Sequence, residues 1–294
     1  NMRILFTGGG TAGHILPIIA LAREIRKISP SKDLDFFYIG PQDKFGSILL
    51  SQEGIKVKTI FSGKIRRYLS IEAILLNCLD FIKIPIGIFQ TFWYIFFLSP
   101  DLIFSKGGYG SIPAAFSGWL LQIPIILHES DALPGLANRL ISHWATEIFV
   151  SFPKTEFPSL KKIMVVGNPV RQELAAGSKE KAKELFNLVG GKPVVLVLGG
   201  SQGSQRINDL ILNILPDFLK SAEIIHQTGE KNLKNAESEF NAVVTEDKLK
   251  PYYHPVAFLN EEEIKQSYIA ANLIISRSGA GSVFEIALTG KPSI

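Results

Sequence analysis

Short apolar runs alternate with longer amphipathic stretches along most of this chain. The runs at 3–7, 34–39, 55–60, 101–105, 124–127 and 147–150 are rich in Ile, Leu, Phe and Val. They read as strands of a parallel sheet buried on both faces. The stretches between them, near 15–28, 44–53, 71–98, 111–121 and 134–142, carry helical spacing of apolar residues. Such alternation predicts a doubly wound sheet. The pattern loosens over 151–178, where Pro153, Pro158 and Pro169 punctuate it and a strand fits at 163–166. It then resumes, with strands at 192–198, 223–227 and 272–276 and helices from about 204 and near 230–242, 261–270 and 280–289. The chain is therefore α/β, with two similar doubly wound domains, 1–160 and 161–294. Lys291, Pro292, Ser293 and Ile294 read as the opening of another strand, so the second domain is expected to be incomplete.

Residues 71–98 are unusually apolar. A membrane span needs about 20 nearly uncharged residues. Asp80, Lys83 and Gln90 interrupt this one, and Pro85 with Gly87 is expected to break the helix. Two readings stay open: a buried pair of core helices, or an exposed apolar patch. The patch would sit beside Lys64, Arg66 and Arg67 and rest on an anionic membrane surface. Core packing is the commoner fate of such a stretch. The net charge of +4 over 294 residues is too weak to point to nucleic acid. Cys78 is the single cysteine, which excludes an intramolecular disulfide framework and a cysteine-based metal site. The His and acidic residues show no metal-ligand spacing such as H-E-x-x-H.

The chemistry concentrates in glycine turns. Gly8, Gly9, Gly10, Thr11, Ala12, Gly13 and His14 follow the first strand and lead into the first helix. Glycines there let the backbone approach a ligand, and the helix N-terminus favours an anion. His14 adds a group that titrates near neutral pH. Gly8, Gly10 and Gly13 fit the dinucleotide fingerprint, but the second strand ends Tyr38, Ile39, Gly40, Pro41, Gln42, with no carboxylate for a ribose. That argues against a nicotinamide cofactor. A second turn, Gly199, Gly200, Ser201, Gln202 and Gly203, opens the second domain. A third runs Arg277, Ser278, Gly279, Ala280, Gly281, Ser282, Val283, Phe284, Glu285. Its backbone N–H groups suit a diphosphate. Glu285, expected in the first helical turn, either accepts ribose hydroxyls or complements the helix dipole.

Two further polar clusters end strands of the first domain. One is Ser105, Lys106, Gly107, Gly108 and Tyr109. The other is His128, Glu129, Ser130 and Asp131, running on to Asn138 and Arg139. Ligands of open α/β sheets bind beyond such carboxyl ends. His128 is either a core histidine or part of the site. Glu129 and Asp131 are expected near His14, where a carboxylate orients an imidazole or acts as base. His143, His226 and His254 lack such a context and read as structural or surface residues.

In this order the motifs resemble the MurG family of bacterial N-acetylglucosaminyltransferases. They are Gly9 to His14, Gly107 to Tyr109, His128 to Asp131 with Gly135 to Arg139, Gly167 to Arg171, Gly199 to Gly203 and Arg277 to Ala280. The resemblance spans the whole chain. It implies a GT-B fold, with two Rossmann-like domains facing a cleft. It implies transfer of N-acetylglucosamine from UDP-N-acetylglucosamine to the muramic O4 of lipid I, giving lipid II, with no cofactor. By motif position, Ser201, Gln202 and Arg171 would lie on the donor's phosphate side and Leu259 by the uracil. Ala280, Gly281, Ser282, Val283, Phe284 and Glu285 would hold diphosphate and ribose. Thr11, Ala12 and Gly13 would close over the donor from the other domain, with Asp131 reaching the sugar, Asn138 among the substrate-binding residues and the acceptor diphosphate in the N-terminal glycine turns. Arg277 or Arg171 would steady the departing diphosphate, with His14 or Glu129 as base. Residues 64–98 would face the cytoplasmic side of the inner membrane, which favours the exposed-patch reading. Cell-wall and division proteins would be partners. Many members carry Glu-Gln-Asn where this chain has Glu129, Ser130 and Asp131, and members continue past position 294. A form ending there is expected to bind donor poorly. The alternatives are a non-hydrolysing UDP-N-acetylglucosamine 2-epimerase and a non-catalytic nucleotide-sugar-binding scaffold.

Overall fold

A computed structural model describes residues 1–30, 33–63, 71–157, 163–200 and 202–294. Lys64, Arg66, Arg67 and Ser201 lie outside them. The chain divides into two compact units, Asn1–Pro169 and Val170–Ile294.

In the first unit the described strands are β1 (Met2–Thr7), β2 (Leu34–Gly40), β3 (Lys56–Thr59), β4 (Leu102–Ser105), β5 (Ile125–Glu129), β6 (Glu147–Val150) and β7 (Ile163–Val165). They form one parallel sheet in the order β3-β2-β1-β4-β5-β6-β7. Successive β1 side chains alternate faces, as strand geometry requires. Leu5 joins a cluster with Ile103, Ile125 and Ile148, while Ile4 and Phe6 join another with Ile15, Ile18 and Phe36. Both faces are thus covered, by helices α1 (Ala12–Ile28), α2 (Lys44–Gln52), α3 (Ile71–Leu98), α4 (Ile112–Leu120) and α5 (Leu136–Ile141). Each fully buried aliphatic side chain contributes about 1.5–3 kcal/mol.

The expected break in α3 does not occur. One helix runs through Pro85, and Gly87 serves close approach instead: a Cβ there would collide with the Phe61 carbonyl oxygen. Nor is the described end of α3 a buried core element. Ile95 is fully buried, but Phe89, Trp93 and Phe97 are exposed. These three are four residues apart and so share one face. Trp93 lies 6.1 Å from Phe89 and 5.8 Å from Phe97, ring centre to ring centre. Among the described residues no helix is long and apolar enough to cross a membrane.

The second unit repeats the plan with β8 (Val194–Leu198), β9 (Glu223–Gln227), β10 (Tyr253–Val256) and β11 (Leu273–Ser276). They form a parallel sheet in the order β10-β9-β8-β11. Its described helices are α6 (Lys179–Phe186), α7 (Gln205–Ser221), α8 (Leu233–Val243), α9 (Glu261–Ala270) and α10 (Ala280–Thr289). β8 again divides its side chains, Leu196 and Leu198 to one cluster and Val195 and Val197 to the other. β10 carries Pro255, which cannot donate to a ladder and so suits the sheet edge it occupies. As expected of 291–294, Ile294 N–H donates to Ile274 O at 2.9 Å and its own carbonyl accepts from Ser276 N–H at 3.0 Å.

Candidate functional site

Each sheet reverses its strand order once, between β1 and β4 in the first unit and between β8 and β11 in the second. Ligands bind doubly wound sheets at such switch points, beyond the carboxyl ends of the strands. The glycine turns after β1 and β4, and those after β8 and β11, are the turns singled out by sequence.

In the first unit α1 begins at Ala12, so His14 sits within its first turn rather than ahead of it. Thr11 is the N-cap residue, yet its side chain makes no cap bond. Its hydroxyl lies 2.7 Å from His14 Nδ1 instead. A good cap is worth about 0.5–2 kcal/mol; here that contact orients the imidazole. The ring lies against Gly9 and Gly108, since a Cβ on either would come about 3.0 Å from ring atoms. Gly107 and Gly108 both take φ near +80°, a region glycine enters without steric cost (+83° and +81°). Burial, and then the charge of Lys106, push the half-buried imidazole down to about 4. At neutral pH it is a free base. Its place at a helix N-terminus works in the same direction.

Lys106, a member of the polar cluster placed by sequence at the end of β4, lies 2% exposed behind this turn. Its ammonium donates to His128 Nδ1 at 2.7 Å, Asn168 Oδ1 at 2.7 Å and Ser130 Oγ. Burial brings it down to about 7, against the opposing charges of Glu129 and Asp131. His128 Nε2–H donates to Gly167 O at 2.8 Å, which fixes the tautomer that accepts from Lys106. Burial first, then Lys106, hold His128 near 3. His128 is thus a core histidine tying β5 to the loop after β7.

Glu129 is also buried. One oxygen accepts from Asp131 N–H at 2.9 Å, the other from Asn138 Nδ2 at 2.7 Å and Gly135 N–H at 3.3 Å. Asn138 Oδ1 in turn accepts from Gly108 N–H at 3.2 Å. Together they hold the 131–138 loop against the glycine turn, and Asp131 projects exposed from that loop. Thr11 and Gly13 are exposed, with Ala12 half-buried between them. His143 is exposed, while His226 and His254 bond to Asn208 and Glu223 in the second unit.

In the second unit the turn after β11 is more open. No side chain caps α10, and a Cβ on Gly279 or Gly281 would meet nothing within 4 Å. Arg277, Gln202 and Val283 are exposed, while Ala280, Ser282 and Phe284 are half-buried. Leu259 is buried in the core with Leu198 and Ile264. Glu285 is the sixth residue of α10, not in its first turn as expected. Interaction with the dipole fades beyond that turn, so the dipole reading of Glu285 loses its basis. The carboxylate instead accepts from Arg171 Nη2 at 2.8 Å and Tyr268 Oη at 3.1 Å. Arg171, 6% exposed, also pairs with Glu261 at 3.3 Å.

Sequence reasoning placed Lys106 in a polar cluster and Asn168 in a motif without giving either a role, and missed Tyr268. Lys106 and Asn168 carried a faint signal, each standing beside glycines at a strand end. Tyr268, inside an amphipathic helix, reads as ordinary core.

The glycosyltransferase family 28 N-terminal domain matches residues 4–150, and the family's C-terminal domain matches 194–294. A relative from Clostridium tetani is 36% identical over 99% of this chain and 76% of its own length. One from Legionella pneumophila is 38% identical over 99% and 76%. Both are UDP-N-acetylglucosamine–N-acetylmuramyl-(pentapeptide) pyrophosphoryl-undecaprenol N-acetylglucosamine transferases. Among solved structures, MurG of Acinetobacter baumannii superposes with a TM-score of 0.67 at 23% identity, covering 100% of this chain and 78% of that one. The UDP-GlcNAc 2-epimerase of Neisseria meningitidis gives 0.65 at 16%, covering 99% and 81%. Fold alone does not separate transferase from epimerase.

Proposed function

The chain belongs to glycosyltransferase family 28, among its undecaprenyl-linked muramyl-pentapeptide N-acetylglucosaminyltransferases, and from that premise we propose its reaction. It transfers N-acetylglucosamine from UDP-N-acetylglucosamine to the muramic O4 hydroxyl of lipid I, giving lipid II for peptidoglycan. The acceptor oxygen attacks the anomeric carbon from the face opposite the diphosphate. The C1–O4 bond forms as the bond from C1 to the diphosphate oxygen breaks, UDP keeps the electron pair, and the configuration inverts. Positive charge develops on the sugar ring, as in glycoside hydrolysis.

The hydroxyl proton passes to His14 Nε2. Donation from Nδ1–H to Thr11 Oγ1 leaves the Nε2 lone pair for that proton. The observation that carries this reading is an imidazole 2.7 Å from the Thr11 hydroxyl and lying on glycine backbone at the switch point, where burial favours its neutral form. Glu129 shapes the 131–138 loop through its three hydrogen bonds, and exposed Asp131 addresses the sugar. In the second unit the uncapped N–H groups of α10 take the diphosphate with Arg277, and Glu285 takes the ribose. The exposed ridge of Phe89, Trp93 and Phe97 supports docking of the first unit on the anionic cytoplasmic face of the membrane.

The test is an assay with UDP-N-acetylglucosamine, with and without a lipid I analogue. A transferase releases UDP and forms lipid II only when acceptor is present. Acceptor-independent formation of the manno epimer would replace this reading with the epimerase. For docking, Phe97→Ser should lower co-sedimentation with anionic phosphatidylglycerol vesicles. Unchanged co-sedimentation would remove the ridge from the membrane surface.

A further inference from the structure

A carboxylate that takes the donor ribose, the role proposed for Glu285, must be held in one orientation, and the role inferred for its neighbour Tyr268 rests on that reading. The Glu285 side chain is 14% exposed, so part of the carboxylate faces outward. The remainder is held from within the unit. Oε1 accepts from Arg171 Nη2 at 2.8 Å, and Oε2 accepts from the Tyr268 hydroxyl at 3.1 Å. A carboxylate offers about four acceptor positions, two on each oxygen. With one taken on each oxygen, one on each is left, which matches the 2′- and 3′-hydroxyls of a ribose.

The last torsion of a glutamate is soft and broad, so a single anchor leaves the carboxylate free to turn. Arg171 supplies one anchor and is itself steadied by Glu261 at 3.3 Å. The second anchor comes from α9. We propose that Tyr268 is a positioning residue for the donor, its hydroxyl fixing the Glu285 carboxylate so that both oxygens meet the ribose. Tyr268 is 1% exposed and packs among Leu196, Ile264, Ile274 and Ile286. It therefore acts through Glu285 and not by touching the nucleotide. Burial, and then the charge of Glu285, raise the phenol well above its ordinary value, so it remains an O–H donor throughout the working pH range.

The test compares binding of UDP and of 2′,3′-dideoxy-UDP to the intact protein and to its Tyr268→Phe and Glu285→Ala variants. Tyr268→Phe keeps the ring and removes only the donor. It should weaken UDP binding about tenfold, the scale of a hydrogen bond to a charged group. Binding of dideoxy-UDP should stay within about twofold, because that probe makes no ribose contact. In transfer the donor KM should rise while kcat at saturating donor holds. In the Glu285→Ala background Tyr268→Phe should add no further loss. Equal weakening of both nucleotides, or no weakening of either, would overturn the brace. If Glu285→Ala distinguishes the nucleotides and Tyr268→Phe does not, the brace alone fails. If Glu285→Ala does not distinguish them, the ribose assignment fails and takes the brace with it.

Discussion

The turns after β1 and β11 are built from the same strand–glycine–helix unit but are finished in opposite ways. In the first unit the glycine turns are packed against side chains. His14 lies on Gly9 and Gly108, and Lys106, His128, Glu129, Asn138 and Asn168 form a buried hydrogen-bonded layer beneath. In the second unit the turn after β8 is packed, a Cβ on Gly203 colliding with the Thr228 carbonyl oxygen, but Gly279 and Gly281 after β11 face open space, with polar support further along α10 at Glu285. The difference matches the demands of the two tasks. A base must hold one orientation and one charge state, so its surroundings are crowded. A diphosphate is gripped by backbone N–H groups, which need only an uncovered helix end.

This contrast can be broken by substitution. The largest effect is expected at His14. His14→Gln should lower kcat by about 10²–10⁴, the usual scale of general-base catalysis, and leave UDP affinity within about twofold. A matching loss of UDP affinity would move His14 out of the acceptor-side chemistry. Next comes Gly108→Ala. Its φ of +81° and the nearness of His14 Nε2 should cost about 1–3 kcal/mol, read as a lower denaturation midpoint, with slower transfer. Smallest is Gly279→Ala. Its φ of −66° is ordinary and its Cβ site empty, so stability should change by less than about 1 kcal/mol, the scale of an N-cap substitution. UDP binding should weaken nonetheless, because the new methyl group narrows the approach to the helix end. A large stability loss at Gly279 would show that the turn after β11 is as tightly supported as the turn after β1.

Much of the fold was legible because one signal recurs. Apolar runs of strand length ending in glycine turns placed β1, β4, β8 and β11, and with them both switch points. What failed were positions where a local rule yields to tertiary context. Pro85 and Gly87 suggested a broken helix, but α3 continues, and Gly87 is required by the neighbouring Phe61 carbonyl. Pro255 hid β10, because a proline argues against a strand until that strand is known to be at an edge. The site divides similarly. His14 and Glu285 stand in motifs and were legible by position. The charge state of His14 depends in part on Lys106, and the orientation of Glu285 on Tyr268, which lie 92 and 17 residues away in sequence.

The central claim is that the first rim presents a neutral, preoriented base. Its most direct test is the pH dependence of kcat/KM for the lipid I analogue, which reports groups of the free enzyme. Burial and the Lys106 charge hold His14 near 4, and protonation removes its lone pair. Lys106, near 7 itself, gains charge as pH falls through that range and so keeps the effect in force. The rate should therefore hold as pH falls through 6.5 and decline only towards about 4, with that limb absent in His14→Gln. An acid limb near 6.5, or a limb near 4 that persists in His14→Gln, would contradict the account.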